Sequence, residues 1–204
     1  MSDRIYCYPD SNVLKNKMGV RDFGQLNQLE RRLTMLRLLD LVDRPIRGKF
    51  DLNHLQAIHK YIFQDVYEWA GEIRKIDIAK GNMFCNVRFL SEQATDIFGK
   101  LKEEDYLQGL EEEDFIRQLA YYFSEINALH PFREGNGRSQ REFIRCLALH
   151  NGYVTHFENV NKEEMMKASK ASFLCNYREM EQLFKKCIRR DDNFLELNKA
   201  MRRI

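Results

Sequence analysis

The sequence has little proline, little glycine and no long apolar run. With 3 proline and 10 glycine residues among 204, it lacks the dense turns of a β-sandwich or barrel and favours long helices. It shows neither an N-terminal signal peptide nor an apolar stretch long enough to cross a bilayer. We therefore expect a cytoplasmic protein that does not insert into a membrane.

The cysteines argue against a disulfide-rich or zinc-binding protein, and the net charge does not indicate a protein that binds nucleic acid or membranes. The five cysteines are odd in number and far apart, and no pair of them has Cys-x-x-Cys spacing. We therefore expect free thiols rather than a disulfide framework or a zinc site. The formal net charge of +2 gives no indication of binding to nucleic acid or to an anionic membrane.

The remaining composition is typical of one globular domain. The apolar share of 44%, with 14 Phe and 9 Tyr, is too high for a disordered chain, and no repeat or linker divides the sequence. We predict a single all-α domain over residues 1–190 that carries a small β-hairpin. A charged tail with a weak helical pattern follows over residues 191–204.

Capping residues and apolar periodicity predict where the helices lie. Ser11 is a candidate N-cap for a short helix that ends at Gly19, and Asp22 and Asp51 are candidate N-caps for the next two helices. The helix after Asp22 is expected to bury an apolar stripe of Leu26, Leu29, Leu33, Leu36 and Leu39. Further helices are predicted over residues 91–106, 113–129, 138–150, 163–171 and 177–188.

The periodicity changes from helical to alternating over residues 74–90. Ile76 and Ile78 alternate with their neighbours, Gly81-Asn82 is a turn signal, and residues 84–89 suit a returning strand. This pattern predicts a hairpin beside a helical body. An isolated hairpin is only marginally stable, so we expect a partner for it, while a ribbon without a partner is the alternative.

The segment from His130 to Arg141 holds most of the chemically informative residues. Gly135 and Gly137 flank Asn136 immediately before a predicted helix. Glycine lets backbone N–H groups approach an anion closely, and the unpaired N–H groups at a helix start favour negative charge. The sequence therefore predicts a phosphate-binding turn.

Charged side chains around this turn extend the prediction. Arg138 and Arg141 are three residues apart and share a helix face, and two guanidinium groups in line indicate a polyphosphate. Glu134 is a candidate Mg²⁺ ligand, because Mg²⁺ takes one or two carboxylates together with substrate phosphates. His130 is a candidate general base. Together these residues predict an enzyme that acts on a triphosphate.

The same residues resemble the signature of the Fic family. That signature is His-x-Phe-x-Asp/Glu-Gly-Asn-Gly-Arg-x-x-Arg, and every specified position is present between His130 and Arg141. The Lys80-Gly81-Asn82 turn is similar to the hairpin, called the flap, with which the family docks its targets. The resemblance implies a helical Fic fold and transfer of AMP from ATP to a hydroxyl group of another protein.

The resemblance also implies a role for each residue. His130 would be the general base, and Glu134 would bind Mg²⁺. Gly135, Asn136 and Gly137 would hold the α-phosphate. Arg138 would contact the β-phosphate and Arg141 the γ-phosphate. The flap would pair with an extended segment of the target. Its residues are Lys80, Gly81, Asn82, Met83, Phe84 and Cys85.

Regulation and partners are further implications of the resemblance. Many Fic proteins are inhibited by a helix with the sequence Ser/Thr-x-x-x-Glu, and no Ser or Thr of this sequence is followed four positions later by Glu. This implies a toxin that is restrained by a small antitoxin supplying the helix. By analogy with free-standing relatives, a type II topoisomerase subunit is the expected target.

Two other interpretations are left open by the sequence. One branch of the family transfers phosphate and has lysine where this chain has Gly137, so glycine favours nucleotidyl transfer. Transfer of phosphate, or of another nucleotide such as UMP or GMP, is nevertheless the first alternative. The second is a protein that binds a nucleotide or a target without catalysis.

Overall fold

The structure, a computed structural model, describes residues 4–80 and 82–191, so the predicted tail beyond Asp191 lies outside it. Within these residues it contains seven α-helices and four short strands. The helices are α1 (Phe23–Asp43), α2 (Leu52–Phe63), α3 (Leu90–Glu103), α4 (Glu112–Leu129), α5 (Asn136–His150), α6 (Lys162–Ser172) and α7 (Arg178–Cys187). The strands are β1 (Ala79–Lys80), β2 (Asn82–Met83), β3 (Tyr153–Thr155) and β4 (Ile188–Arg190).

Capping side chains fix the starts of the first two helices. The Asp22 carboxylate accepts a hydrogen bond from the Gln25 N–H at 2.8 Å, and Asp51 accepts one from the His54 N–H at 2.8 Å. These bonds satisfy N–H groups that a helix leaves unpaired at its start. The predicted starts of α1 and α2 are therefore confirmed.

Helix α5 lies at the centre of the fold. It packs against α2 and α4, while α1 packs on α2 and α7 packs on α4. Phe132, Phe143 and Leu119 are fully buried in this core. Because α4 and α5 are both anchored there, the turn that joins them is held at both ends. No helix among the described residues is long and apolar enough to cross a membrane.

The helix predicted between Ser11 and Gly19 is absent from this described segment. The Asn16 side chain donates to the carbonyl oxygens of Leu14 and Val20 at 2.9 and 2.7 Å, and it accepts from the Val20 N–H at 3.0 Å. Side-chain bonds of this kind compete with the backbone bonds of a helix. The segment therefore forms a loop.

The apolar stripe predicted for α1 is confirmed only in its first half, where Leu26 is buried and Leu33 packs against the core. Leu36 and Leu39 are 64% and 55% exposed, whereas Glu30 and Thr34 are only 6% and 1% exposed. Buried polar side chains are almost always hydrogen-bonded. Arg138, which belongs to the site described below, donates hydrogen bonds to both Glu30 and Thr34. This explains why this face of α1 is buried.

The predicted hairpin is present but shorter than expected. Strands β1 and β2 pair antiparallel over two residues each. The returning strand predicted over residues 84–89 is wrong, because Val87–Phe89 forms a 3₁₀ turn. Asn86 starts this turn, since its side chain accepts a hydrogen bond from the Arg88 N–H at 3.0 Å.

A second small sheet has no counterpart in the sequence prediction. Strand β3 pairs antiparallel with β4, with Tyr153 opposite Arg190. The helix predicted over residues 177–188 therefore ends at Cys187. The sheet packs against α5 and is tied to α4 by a hydrogen bond of 3.2 Å from Arg190 to Glu112.

Candidate active site

The predicted base, His130, closes α4 beside the hairpin. Its backbone is left-handed, with φ of 47°, and its N–H donates to the Ile126 carbonyl at 3.1 Å. Its Nδ1 lies 3.2 Å from the Asn127 carbonyl oxygen, so a proton on Nδ1 makes this bond and gives Nε2 the accepting lone pair. Phe84 stacks on the imidazole with ring centroids 3.6 Å apart. These contacts fix the plane of the ring.

A buried arginine joins the hairpin to His130. Arg74 is 1% exposed, and its guanidinium donates to the carbonyl oxygens of His130 at 2.8 Å, of Ile76 at 2.7 Å and of Cys85. Burial lowers the pKa of Arg74, because the charged form is disfavoured away from water. Nothing in the sequence around Arg74 indicates that it is buried, and its positioning role is found only in the structure.

The side chain of Asn136 folds the turn that follows His130. It accepts a hydrogen bond from the Phe132 N–H at 2.8 Å and donates to the Phe132 carbonyl at 2.7 Å. The chain then passes Gly135 at φ of 82°, and α5 begins. The unpaired N–H groups at the start of α5 therefore lie at this turn, and such groups favour binding of an anion. Because the Asn136 side chain is bound to Phe132, it holds the turn, and the Asn136 backbone N–H lies at the helix start, where an anion is favoured.

Glu134, Arg138 and Arg141 line one cavity of about 550 Å³ at the start of α5. Helix α1 forms another wall of this cavity through Leu26 and Asn27. Among the described residues, the Arg141 guanidinium has no hydrogen-bond or ion-pair partner. Its pKa is lowered by burial and then by the nearby charge of Arg138. A partly buried cation of this kind favours an anionic ligand.

Glu134 is suited to hold a metal ion at the edge of this cavity. Its Oε1 accepts a hydrogen bond from the Gly135 N–H at 2.9 Å and lies 4.0 Å from Arg138 Nη2, and its side chain is 32% exposed. No cluster of three or more potential metal ligands occurs within residues 4–80 and 82–191. A single carboxylate nevertheless fits Mg²⁺, which completes its coordination with phosphate and water oxygens.

His59 lies beneath the turn and holds its backbone. Its Nε2 donates to the Glu134 carbonyl at 2.9 Å, and its Nδ1 accepts from the Gly71 N–H at 2.8 Å. Burial lowers the pKa of His59 to about 4, so the ring is neutral at pH 7 and both bonds are made by one tautomer. Phe132 stacks on it with centroids 3.9 Å apart. The sequence alone does not distinguish His59 from the other histidines.

A second cavity, of about 370 Å³, lies beside the hairpin. It is lined by residues 83–85 and by Ala128 and Leu129 at the end of α4, immediately before His130. The structure therefore brings the described flap side chains close to the predicted base. Gly81 and the side chains of Lys80 and Asn82 lie outside the described part of the structure.

Comparison with known proteins identifies relatives over most of the chain. The model of the Fic/DOC family matches residues 49–148. The chain is 42% identical over 176 residues to the protein adenylyltransferase VbhT of Bartonella schoenbuchensis, which covers 86% of this chain but only 37% of that relative. It is 35% identical over 196 residues to the "Probable protein adenylyltransferase Fic" of Escherichia coli K12, which covers 92% of this chain and 96% of that protein.

The fold is also similar to that of a solved Fic domain. The N-terminal Fic domain of a VirB-translocated Bep effector protein from Bartonella quintana, with bound ADP, superposes with a TM-score of 0.88. The match has 29% identity and covers 94% of this chain and 98% of that chain. The predicted helical Fic fold is thereby confirmed. With 35% identity to a relative of which it spans nearly the whole length, and with every signature position present, the chain belongs to the Fic/DOC family.

Proposed function

We propose that this protein transfers AMP from ATP to a Tyr, Thr or Ser hydroxyl of a target protein and releases pyrophosphate. The observation that carries the proposal is that Glu134, Arg138 and Arg141 line one cavity at the start of α5, at the end of the turn that follows His130. Two relatives are named as protein adenylyltransferases, and the related Bartonella quintana domain holds ADP. These relatives support a nucleotide as the ligand of the cavity.

In the proposed reaction, His130 is the general base. Its Nε2 takes the proton of the acceptor hydroxyl while the hydroxyl oxygen bonds to the α-phosphorus. The bond from that phosphorus to the oxygen bridging to the β-phosphate breaks, and pyrophosphate leaves with the negative charge. Arg138 at the β-phosphate and Arg141 at the γ-phosphate stabilise this charge. The N–H groups of Asn136 and Gly137 hold the α-phosphate, while the Gly135 N–H stays bound to Glu134.

Glu134 would hold the Mg²⁺ that accompanies ATP. A bound Mg²⁺ neutralises charge on the phosphate oxygens. The hydrogen bond from the Gly135 N–H to Glu134 keeps the carboxylate beside the turn that receives those phosphates. Glu134 would therefore place the ion next to the reacting phosphate.

The flap is proposed to align the target. Among the described residues β1 and β2 form a sheet of two strands, so each has an outer edge. A strand of the target could pair with one of these edges through main-chain hydrogen bonds. Arg74 donates hydrogen bonds to the carbonyl of His130 and to that of Cys85 in the flap. These bonds fix the position of the flap relative to His130, the general base. The cavity of about 370 Å³ beside the hairpin, which Phe84 lines, would receive the acceptor side chain of the target.

We further infer a toxin that is restrained by a separate antitoxin. No Ser/Thr-x-x-x-Glu sequence occurs in these 204 residues, so the inhibitory glutamate would come from another small protein. By analogy, the target is a type II topoisomerase subunit in the cytoplasm. The enzyme would act on that protein without contacting nucleic acid itself.

Labelled ATP identifies the group that is transferred. Compared with lysate alone, a bacterial lysate incubated with the protein is expected to gain labelled protein from ATP labelled at the α-phosphorus, and no additional label from ATP labelled at the γ-phosphorus. A gain over lysate alone from the γ-phosphorus only would establish phosphate transfer instead. No labelling, with ATP still bound, would indicate a binding module. The mass of the modified target distinguishes AMP from UMP or GMP.

Arg141→Ala is expected to weaken binding of a non-hydrolysable ATP analogue about tenfold and to leave ADP binding nearly unchanged, because one charge-assisted contact to the γ-phosphate is lost. Titration calorimetry with both nucleotides measures the difference. Arg117→Ala, which removes an exposed arginine from α4, is the matched control. Equal losses for the ATP analogue and ADP would contradict the γ-phosphate assignment.

A further inference from the structure

Helix α1 brings a carboxylate and a hydroxyl to Arg138. Glu30 Oε1 accepts a hydrogen bond from Arg138 Nη2 at 2.6 Å, and Thr34 Oγ1 accepts one from Arg138 Nη1 at 3.0 Å. The guanidinium carbon lies 4.5 Å from the centroid of the Phe63 ring, over its face. Arg138 is therefore held by two hydrogen-bond acceptors and one aromatic face.

The acceptor groups on α1 are themselves fixed. Glu30 is 6% exposed, and its second carboxylate oxygen accepts a hydrogen bond from the Tyr67 hydroxyl. Burial and the nearby Glu30 charge raise the pKa of Tyr67, so its hydroxyl keeps the proton that it donates. The Thr34 hydroxyl donates to the Glu30 carbonyl at 2.7 Å, which leaves its lone pairs for Arg138.

We propose that Glu30 is a positioning residue that holds the Arg138 guanidinium in the orientation that binds the β-phosphate. This inference rests on the proposed function, in which Arg138 contacts that phosphate. A guanidinium has five N–H donors, and Glu30 and Thr34 use two of them. The Arg138 side chain keeps 20% exposure and lines the phosphate cavity, so its remaining donors are available to a nucleotide.

The burial of Glu30 distinguishes positioning from blocking. A carboxylate that competed with the nucleotide for Arg138 would have to give up this arginine when ATP binds. Among the described residues, Tyr67 would then be the one side-chain donor left to this buried charge. Removing one partner from a buried ion pair is strongly unfavourable. The geometry therefore favours a Glu30–Arg138 pair that persists when the nucleotide binds.

Glu30→Gln tests this role, because it keeps the size of the side chain and removes its charge. ADP has a β-phosphate and AMP has none. We expect the variant to bind ADP about tenfold more weakly and AMP within about twofold of the parent, as measured by titration calorimetry. Asp43→Asn is the matched control, since it removes an exposed carboxylate from the same helix and should change neither affinity.

Each other outcome overturns the proposal. Equal losses of ADP and AMP affinity would indicate a purely structural role for Glu30, and unchanged affinities would indicate no role. A gain in ADP affinity would show that Glu30 blocks the site. If Glu30→Gln does not fold, Thr34→Val removes the neighbouring acceptor at similar volume, and we expect a smaller loss, about threefold, for ADP only.

Arg138→Ala in the same assay separates this inference from the proposed function. If that variant does not lose ADP affinity relative to AMP, the β-phosphate assignment itself is wrong. If Arg138→Ala loses ADP affinity while Glu30→Gln does not, Arg138 still binds the β-phosphate, and only the positioning role of Glu30 is wrong.

Discussion

Replacing His130 with alanine is expected to abolish AMP transfer and to leave ATP affinity largely unchanged. A general base contributes about 10²–10⁴-fold to the rate, so the initial rate of target labelling should fall by at least the lower figure. The cavity that is proposed to bind the phosphates is lined by Arg138 and Arg141, which belong to α5, so binding should survive. Labelling with α-labelled ATP and titration calorimetry on the same preparation measure the two quantities.

The backbone of His130 calls for a second variant. Its φ of 47° and the stacked Phe84 ring mean that alanine both enters a left-handed conformation and removes a packing contact. Asparagine tolerates this conformation and supplies no base, so His130→Asn should show the same loss of transfer with a smaller loss of stability. His156→Ala, which removes an exposed hydrogen bond between His156 and Glu158, is the control. Labelling at the parental rate by a folded His130 variant would refute the base assignment.

The sequence predicts helix starts better than it predicts helix faces. Asp22 and Asp51 cap α1 and α2 through bonds to groups three residues away, so the information is local. The buried face of α1 is different, because Glu30 is buried by its pair with Arg138, 108 residues further along the chain. Leucine periodicity carries no information about such a pair. The predicted stripe therefore fails over its second half, at Leu36 and Leu39, although Leu26 in its first half is buried.

The site residues that are close together in the sequence could be predicted, and those that reach the site from distant segments could not. The motif between His130 and Arg141 is contiguous, so its residue types can be read together. Arg74, His59 and Glu30 reach the motif from three separate segments, and each is bound to it through a backbone carbonyl or an arginine. Polarity does not single out Glu30 or Thr34 in the sequence, because arginines also interrupt the leucines of α1, at Arg31, Arg32 and Arg37.

Gly135→Ala is the substitution expected to destabilise the fold most. Gly135 has φ of 82°, a conformation that is strained for any residue with a Cβ, and the added Cβ would overlap the Phe63 ring. Phe63 is fully buried and stacks on His59 with centroids 4.6 Å apart, so the ring has little room to move aside. Strain and overpacking together should lower the free energy of unfolding by about 4 kcal/mol.

Gly137→Ala is the matched control for stability, two residues further along the same turn. It lies inside α5 without a positive φ, and its added Cβ would only touch Arg141 Nη1 at 3.5 Å. Alanine favours a helix over glycine, so no loss of stability is expected there. Thermal unfolding should therefore show a midpoint lower by about 10 °C for Gly135→Ala and unchanged or higher for Gly137→Ala. A Gly135→Ala protein that melts with the parent would mean that the turn after His130 does not depend on close contact with Phe63.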